Sequence, residues 1–402
     1  MIKSYTVVVR EIDDSALAVK QAAEGLASLP LLKNTVGIIT AHPECVPSGV
    51  CRDVARALPF PSVGMTTIAQ CAGREADTYM LSILVLTSDD CAFACGASDP
   101  IPEDCSVEAA EDAVRKCYGE LRGRLPSEPK LALLYSHFFH APRQYQFTSA
   151  VSGVVPRLPV FGAVANDDRQ NVLPQTNARI LAGGELYDDR PALLLVCGDL
   201  SPKFYIASVT EDAIIMPRVG VITEVSGVKL LKVNNICAPD FFRQIGFLGA
   251  ESGGGRDGGG EGLLSSLFVL HIDDGCGGTA DVTRIPFKVD DEAIYCAGPL
   301  FEGAPMSVAF NTRDGVVETA SRLCEQVKRD NAGGTALIYS CIGRRYGLLG
   351  EPMVELSAII SRLEDSFVYT AAYASGEMCP IRVTEAKSFN QDHSQTIVAC
   401  VF

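Results

Sequence analysis

Ala336-Leu337-Ile338-Tyr339-Ser340-Cys341-Ile342-Gly343 reads as an apolar strand that ends in a thiol and runs into a glycine turn. Two earlier stretches repeat this pattern, Ile39-Thr40-Ala41-His42 and Leu134-Tyr135-Ser136-His137. Each is followed by an amphipathic helix, a second short strand and a third apolar run. Open α/β sheets place ligands at the carboxyl ends of strands, just before a helix. The sequence therefore predicts three strand–helix–strand repeats with a site at one or more of these strand ends.

The spacing of the repeats is only loosely conserved within the chain. The distance from the end of the first strand to the second strand is 22 residues in the first repeat, 25 in the second and 30 in the third, from Cys341 to Ala371. This similarity is compatible with internal duplication, and equally with a shared apolar pattern that arose independently.

Composition limits the class of protein. A chain of 402 residues exceeds one ordinary core and predicts two or three domains. With 47% apolar and 21% charged residues, extensive burial is expected. The net charge of −15 argues against nucleic acid and anionic membrane surfaces as partners, because no basic surplus exists to neutralise phosphates.

The location of the protein is predicted from its apolar segments and its cysteines. The longest apolar runs are strand-sized, and the N-terminal one is too soon followed by charges to be a signal peptide. The 15 cysteines include no Cys-x-x-Cys pair, so reduced thiols in the cytoplasm are expected and no metal site is predicted.

Helices and strands alternate along most of the chain, which predicts an α/β fold, mixed with α+β, in which repeated units form mixed sheets with antiparallel additions. Asp13–Leu29 is predicted to be a helix capped by Asp14-Ser15, and Ser106 is predicted to cap another. Two domains are expected: residues 1–235, with internal repeats at 1–125 and 126–235, and residues 263–402. A flexible glycine-rich linker is predicted between them at 236–262. Its Gly-x-Gly-x-x-Gly lacks the strand and helix that a dinucleotide site needs.

The last seventy residues carry the densest set of reactive side chains. Arg344 could bind a carboxylate in bidentate fashion, and Glu377 could bind an ammonium group, so the set suits a small zwitterion. Gly343 and Gly376 would allow backbone N–H groups to approach the ligand. The predicted ligand-binding residues are Cys341, Gly343, Arg344, Tyr373, Gly376, Glu377, His393, Gln395 and Thr396, with His137 from the other half of the chain.

These residues also carry a resemblance. The motifs Ser340-Cys341-x-Gly343-Arg344, Tyr373-x-x-Gly376-Glu377-x-x-Pro380 and His393-x-Gln395-Thr396 resemble the FIST C-terminal domain. Upstream, Arg284, the turn at Gly303 and the strand Met306–Phe310 fit its first half, and residues 36–233 resemble the FIST N-terminal domain more diffusely.

The resemblance implies a cytoplasmic sensory protein that binds a small ligand such as an amino acid and signals through a separate protein partner. Some members of the family bind haem and sense nitric oxide, so a haem-based sensor is the alternative; otherwise no cofactor is expected. The chain departs from the family pattern at Ala371, where glycine is usual, and at His393-Ser394, where His-Asn is usual.

Several residues have alternative interpretations. Cys341 could be the nucleophile of a cysteine-dependent enzyme, with its pKa lowered by Arg344 and with His393 as base, or simply a small residue in a tight turn. His137 and His140 could bind haem or metal, or line a pocket. Asn166-Asp167-Asp168 and Asp273-Asp274-Gly275 are predicted to be turns. No catalytic residue is predicted for the leading interpretation, a non-enzymatic sensor.

Overall fold

The fold is taken from a computed structural model of the chain. It describes residues 1–102, 105–137, 147–167, 177–248, 266–348, 351–363 and 366–402. None of the helices in these ranges combines the length and apolar character needed to span a bilayer.

The first two repeats follow one another along the chain. The first contains β1 (Lys3–Val9), α1 (Ser15–Leu26), β2 (Asn34–Ala41), α2 (Val50–Ala57), β3 (Ser62–Thr66), β4 (Gln70–Ala72), β5 (Glu75–Asp77) and β6 (Leu81–Ser88). The second contains β7 (Ala92–Ala97), α3 (Val107–Arg122), β8 (Pro129–Ser136), α4 (Phe147–Val154), β9 (Val160–Val164), β10 (Ile180–Ala182), β11 (Glu185–Tyr187) and β12 (Ala192–Cys197).

The third repeat is interrupted by an inserted domain. The repeat starts with β13 (Lys203–Ala207). The inserted domain then contains β14 (Ile214–Ser226), β15 (Lys229–Val233), β16 (Ile236–Cys237), α5 (Ala238–Gln244), β17 (Ser266–Asp273), β18 (Thr279–Val289), β19 (Ile294–Ala297) and β20 (Pro305–Phe310). The repeat resumes with α6 (Arg313–Asp330), β21 (Gly334–Cys341), α7 (Arg344–Gly347), α8 (Pro352–Leu363), β22 (Phe367–Ala374), β23 (Glu377–Val383), β24 (Ser388–His393) and β25 (Ile397–Val401).

The three repeats form three six-stranded sheets of the same order, β1-β6-β2-β3-β10-β11, β7-β12-β8-β9-β23-β24 and β13-β25-β21-β22-β4-β5. In each sheet the last two strands are a hairpin from another repeat. The first repeat gives its hairpin to the third sheet, the second repeat to the first sheet, and the third repeat to the second sheet. The predicted strand–helix–strand repeats are therefore confirmed, and they exchange hairpins in a cycle.

The strand registers fix which residues are equivalent. Ile39 pairs with Gly64, Leu134 with Gly162 and Ile338 with Ala371 across the parallel strands. His42, His137 and Cys341 therefore occupy one position, three residues further on in each repeat. A Cβ atom on Gly64 would lie 1.8 Å from the Ile39 carbonyl oxygen, and one on Gly162 equally close to that of Leu134. The third repeat has Ala371 at this position, so its two strands leave space for a methyl group.

The three sheets pack around a central apolar core, and the helices cover their outer faces. The core combines side chains from β2, β8 and β21, and Tyr135 and Tyr339 meet within it, with 2.8 Å between their hydroxyl oxygens. Outside, α1 and α2 cover the first sheet, α3 and α4 the second, and α6 and α8 the third. Parallel strand pairs buried on both faces require this arrangement.

The inserted domain is a seven-stranded antiparallel sheet, β14-β20-β17-β18-β19-β15-β16. The long strand β14 pairs with β20 through its first half and with β15 through its second, so six strands close on themselves around an apolar interior. The division of the chain thus differs from the predicted halves, because β13 belongs with residues 313–402. The predicted linker begins with β16 and α5, whose Phe242 is buried among apolar side chains, while residues 249–265 lie outside the described residues.

Local sequence rules locate the helix starts well. Asp14 is the N-cap of α1 and accepts hydrogen bonds from the Ala16 and Leu17 amides. Ser106 is the N-cap of α3 and accepts from the Ala109 amide. These caps satisfy backbone N–H groups that have no partner within the helix.

Candidate functional site

The repeats provide an internal comparison at the start of each exchanged hairpin. The sheet registers make Gln70, Ile180 and Glu377 equivalent, since each pairs with the residue after the Gly64, Gly162 or Ala371 position of a neighbouring repeat. The three residues are buried. An amide, an aliphatic group and a carboxyl therefore occupy the same place in the fold, and only the third repeat puts an ionisable group there.

Gln70 shows how a polar side chain is satisfied at this position. Its Nε2 donates to the Met80 carbonyl at 2.8 Å, and its Oε1 accepts from the hydroxyls of Ser82, at 2.8 Å, and Thr40. Both polar ends of the amide are thus hydrogen-bonded within the protein. The first repeat uses this position for structure, because every polar atom of the side chain has its partner nearby.

Glu377 is less completely satisfied. The Thr396 hydroxyl donates to its Oε2 at 2.6 Å, and the Cys341 thiol, a weak donor, also interacts with the carboxyl. Its Oε1 has no N–H or O–H donor in the described ranges, although Glu377 is only 1% exposed. Burial raises the pKa of the Glu377 carboxyl to about 8, against the opposing effect of Thr396. Buried polar atoms in native proteins are normally paired, so a carboxyl oxygen without an N–H or O–H donor among the described residues makes Glu377 a candidate ligand-binding residue.

Cys341 lies next to Glu377 at the end of β21. Burial raises the pKa of the Cys341 thiol well above its usual value, and the neighbouring Glu377 raises it further. The expectation of a thiol with a lowered pKa is therefore wrong. The physical reason is that the thiol is buried beside a carboxyl group, while the Arg344 guanidinium is paired with Glu355.

Arg344 is fully buried in an ion pair with Glu355 of α8. Its Nε and Nη2 both donate to Glu355 Oε1, at 3.0 and 2.8 Å. Nη1 donates to the Ser208 carbonyl, and Nη2 also to the Val316 carbonyl and the Thr319 hydroxyl. All three guanidinium nitrogens are thus used within the protein, so Arg344 links the turn after β21 to α6 and α8. The prediction that Arg344 binds a ligand is therefore wrong, and Arg344 is a core residue.

The second oxygen of Glu355 completes the same network. Oε2 accepts from the hydroxyls of Ser340, at 3.0 Å, and Tyr373, at 2.9 Å. Burial raises the pKa of Tyr373 well above its usual value, and the neighbouring Glu355 carboxylate raises it further. Tyr373 therefore supports the ion pair rather than a ligand. Glu355 was not identified from the sequence. Its spacing of four and eight residues from Ile359 and Leu363 places it on the apolar face of α8, which indicates a buried carboxylate.

A guanidinium group does approach the predicted site, and it comes from the inserted domain. Arg284 of β18 is fully buried, and its Nε and Nη1 donate to the carbonyls of Pro299, at 2.7 Å, and Thr283, at 2.8 Å. Its Nη2 has no hydrogen-bond partner within the part of the chain that the structure describes. Burial lowers the pKa of Arg284 to about 10, while Asp392 raises it.

His393 and Asp392 of β24 are both close enough to Arg284 for its charge to influence their pKa values. His393 pairs directly with Glu377 across the β23–β24 hairpin. Its ring Nε2 lies 2.9 Å from the Cys379 carbonyl oxygen, so Nε2 carries the hydrogen, whereas Nδ1 has no partner among the described residues. Burial lowers the pKa of His393 to about 4, so the ring is neutral and Nδ1 can only accept a hydrogen bond. Burial also raises the pKa of Asp392 to about 6.

The remaining predicted residues shape the turn around this cluster. Gln395 has a left-handed backbone with φ of 59°, and its Oε1 accepts from the Asn311 amide at 2.6 Å. A Cβ on Gly343 would lie 2.5 Å from Gln395 Nε2, so the glycine allows the Gln395 side chain to approach this closely. Gly376 accepts a backbone hydrogen bond from the Val164 amide. Gln395 and Gly343 therefore hold the segment before β25 against the inserted domain.

His137 is buried at the end of β8, in the second repeat, and it lowers the pKa of Asp189 less than Arg190 does. His140 and Asp168 lie outside the described residues.

The two predicted turns differ in the structure. Asn166 is buried, and its side chain accepts from the Ile68 amide and donates to the Tyr373 carbonyl, both at 2.9 Å. Asn166 thus joins three repeats and is more than a turn residue. The predicted turn after Asp273 is present, with Gly275 at φ 76°.

Comparison with known proteins agrees with this architecture. The profile of the FIST N domain matches residues 35–236, half of the chain, and that of the FIST C domain matches residues 259–380. The chain therefore belongs to the FIST family, whose domains are associated with sensory signal transduction. A search of curated proteins found no match to the chain.

Proposed function

We propose that this chain is a cytoplasmic sensory protein that binds a small zwitterion, such as an amino acid, between the inserted domain and the β23–β24 hairpin. Arg284, Glu377 and His393 are the residues that bind it, and a separate protein reads the bound state. No catalytic step at this site is part of the proposal.

The observation that carries the proposal is three buried polar atoms: Arg284 Nη2 and His393 Nδ1, which have no hydrogen-bond partner among the described residues, and Glu377 Oε1, which has no N–H or O–H donor there. They belong to adjoining segments. Glu377 and His393 pair across the hairpin, and Arg284 influences the pKa of His393. Leaving one buried polar group unpaired costs about 1–3 kcal/mol, so three together favour a ligand that supplies the missing contacts.

The chemistry of these atoms selects the ligand class. A carboxylate can accept from Arg284 Nη2, and an ammonium group can donate to Glu377 Oε1 and to His393 Nδ1. A small α-amino acid carries both groups close together. The apolar side chains around Cys379 and Tyr339 place this pairing in a low-dielectric setting, where charge-assisted hydrogen bonds are strong.

The position of the site suggests how the signal is passed on. The inserted domain contributes Arg284, while the hairpin belongs to the second sheet and contacts α4, where the Thr148 hydroxyl donates to Asp392 at 3.1 Å. A ligand that bridges Arg284 and Glu377 would favour one arrangement of the inserted domain against the repeats. A partner that contacts both parts would distinguish the bound from the free form.

Isothermal titration with the twenty amino acids tests the proposal. We expect at least one to bind wild type, and Glu377→Gln and Arg284→Lys to weaken its binding at least tenfold, because each removes one charge-assisted contact. Arg345→Lys is the matched control, since Arg345 is half-buried in the neighbouring turn and should leave the affinity within about twofold. Wild type that binds none of the amino acids, or variants that bind as wild type does, would contradict the proposal.

The titration also has an expected pH dependence. An ammonium group binds the ionised form of Glu377, and with a pKa of about 8 only about one tenth of the carboxyl is ionised at pH 7. The apparent affinity should therefore rise about tenfold per pH unit from pH 6 to 8 and then level off, and Glu377→Gln should remove this slope.

A further inference from the structure

Away from the ligand site, three polar side chains form a hydrogen-bonded row on neighbouring strands of the inserted domain. Asp281 Oδ1 lies 2.6 Å from His271 Nδ1, and His271 Nε2 lies 2.8 Å from Ser307 Oγ. Asp281 is on β18, His271 on β17 and Ser307 on β20. His271 and Asp281 pair directly across their strands, and Ser307 pairs with Val269, two residues from His271 on the same face.

The groups at the two ends of this row limit the directions of its hydrogen bonds. The Arg218 backbone amide lies 2.8 Å from Ser307 Oγ and can only donate, so Oγ accepts there and its own hydrogen is available for His271. The Asp281 carboxylate can only accept, so Nδ1 of His271 carries a hydrogen. In the tautomer whose only ring hydrogen is on Nδ1, Nε2 presents its lone pair to Ser307, and the hydroxyl donates to an imidazole that is oriented by a carboxylate.

The backbone around Ser307 is unusual in a way that supports this orientation. Strand β14 loses regular pairing with β20 between Met216 and Gly220, and Arg218 within it has a φ of 45°. Such a left-handed conformation is unfavourable for a residue with a side chain and is retained where the surrounding structure determines it. Here it turns the Arg218 amide toward Ser307 Oγ.

We propose that Ser307 is a nucleophile, with His271 as its general base and Asp281 as the residue that orients the imidazole. The arrangement of atoms is that of a Ser-His-Asp triad, which is recognised by geometry and roles rather than by sequence order. If the proposal is wrong, these three side chains form only an unreactive polar contact across three strands.

The row is open to solvent at one end only. The side chain of Asp281 is 52% exposed and that of His271 14%, whereas Ser307 is 1% exposed. Because Ser307 is at the closed end of the row, the proposed substrate class is a small ester, whose carbonyl would have to reach Oγ past the His271 ring. Ser307 Oγ forms a bond to the carbonyl carbon, its proton passes to His271 Nε2 and then to the leaving alcohol, and solvent water hydrolyses the acyl group by the same base.

A small fluorophosphonate, diisopropyl fluorophosphate, is the probe. In the reaction Oγ bonds to phosphorus, fluoride leaves, and the Oγ proton passes to His271. We expect one adduct per chain in the intact mass, located at Ser307 by peptide mapping. Removing the base in His271→Gln should slow labelling at least about 100-fold. Asp281→Asn should slow it by a comparable factor, because an amide can donate to Nδ1 and reverse the tautomer.

Ser62 provides the matched control, because it is another serine of 1% exposure within a strand. Ser62→Ala should be labelled at the wild-type rate. Asp281 is half exposed, so Asp281→Asn should keep the fold, which circular dichroism will verify. The absence of an adduct at Ser307 in wild type, or equal labelling rates in wild type and folded Asp281→Asn, would overturn the proposal.

Discussion

Replacing Arg344 with Met should destabilise the protein strongly, because the change leaves the Glu355 carboxyl without its cation. Both side chains are fully buried, and three guanidinium nitrogens donate to Glu355, Ser208, Val316 and Thr319. Breaking a buried ion pair by removing one partner costs about 3–5 kcal/mol. Since net stabilities of domains are about 5–15 kcal/mol, Arg344→Met should lose a large part of the folded-state free energy.

The control for this change is the adjacent residue. Arg345 is half-buried, and its side chain is outside the Glu355 network, so Arg345→Met should cost less than about 1 kcal/mol. The double variant Arg344→Met/Glu355→Gln should be more stable than the sum of the two single effects implies, by at least about 2 kcal/mol, because no uncompensated charge is left.

The assay is urea unfolding followed by circular dichroism, which suits a chain that contains no tryptophan. The midpoint and slope give the free energy of unfolding for each variant. If Arg344→Met loses no more stability than Arg345→Met, the ion pair is not a stabilising unit and the assignment of Arg344 to the core fails.

Two other changes probe the site and the repeats. The native Glu377 carboxyl keeps its proton up to about pH 8, while the unfolded one ionises near 4.5, so wild-type stability should fall with rising pH between these values by up to about 1.4 kcal/mol per unit. Glu377→Gln should flatten this dependence in urea unfolding at pH 5–8, whereas exposed Glu120→Gln should not; parallel wild-type and Glu377→Gln profiles would refute the raised pKa. Gly64→Ala should cost about 3 kcal/mol or more, because its methyl group would overlap the Ile39 carbonyl, whereas Gly153→Ala, in a helix with open space, should be neutral or stabilising. Equal thermal midpoints for the two glycine variants would show that the strands can separate without cost.

Much of the fold could be predicted from local patterns in the sequence. Helix caps such as Asp14 and Ser106 act on backbone N–H groups within one turn, so they are visible in a short window. The equivalence of His42, His137 and Cys341 was visible for a similar reason, because each ends an apolar run. The hairpin exchange could not be predicted, because it depends on contacts between distant parts of the chain. The Thr67 hydroxyl, for example, donates a hydrogen bond to the Tyr373 carbonyl, 306 residues away.

Part of the geometry of the candidate site could be predicted from the sequence. Glu377 and His393 do lie together at the hairpin, but the partner of the predicted guanidinium was not identifiable from motif spacing. Arg344 and Arg284 are both buried, and only their hydrogen-bond acceptors distinguish the structural role of Arg344 from the ligand-binding role proposed for Arg284. Those acceptors come from α6, α8 and the loop after β19, whose placement depends on the tertiary fold.

The cyclic hairpin exchange has a practical consequence for fragment design. A fragment ending at residue 235 would lack β23 and β24, which complete its second sheet, and its own β4 and β5 would have no sheet to join. Both fragments produced by that cut would expose unpaired strand edges, which favour aggregation. Complementation by co-expression of the two fragments should therefore recover native protein far better than either fragment alone.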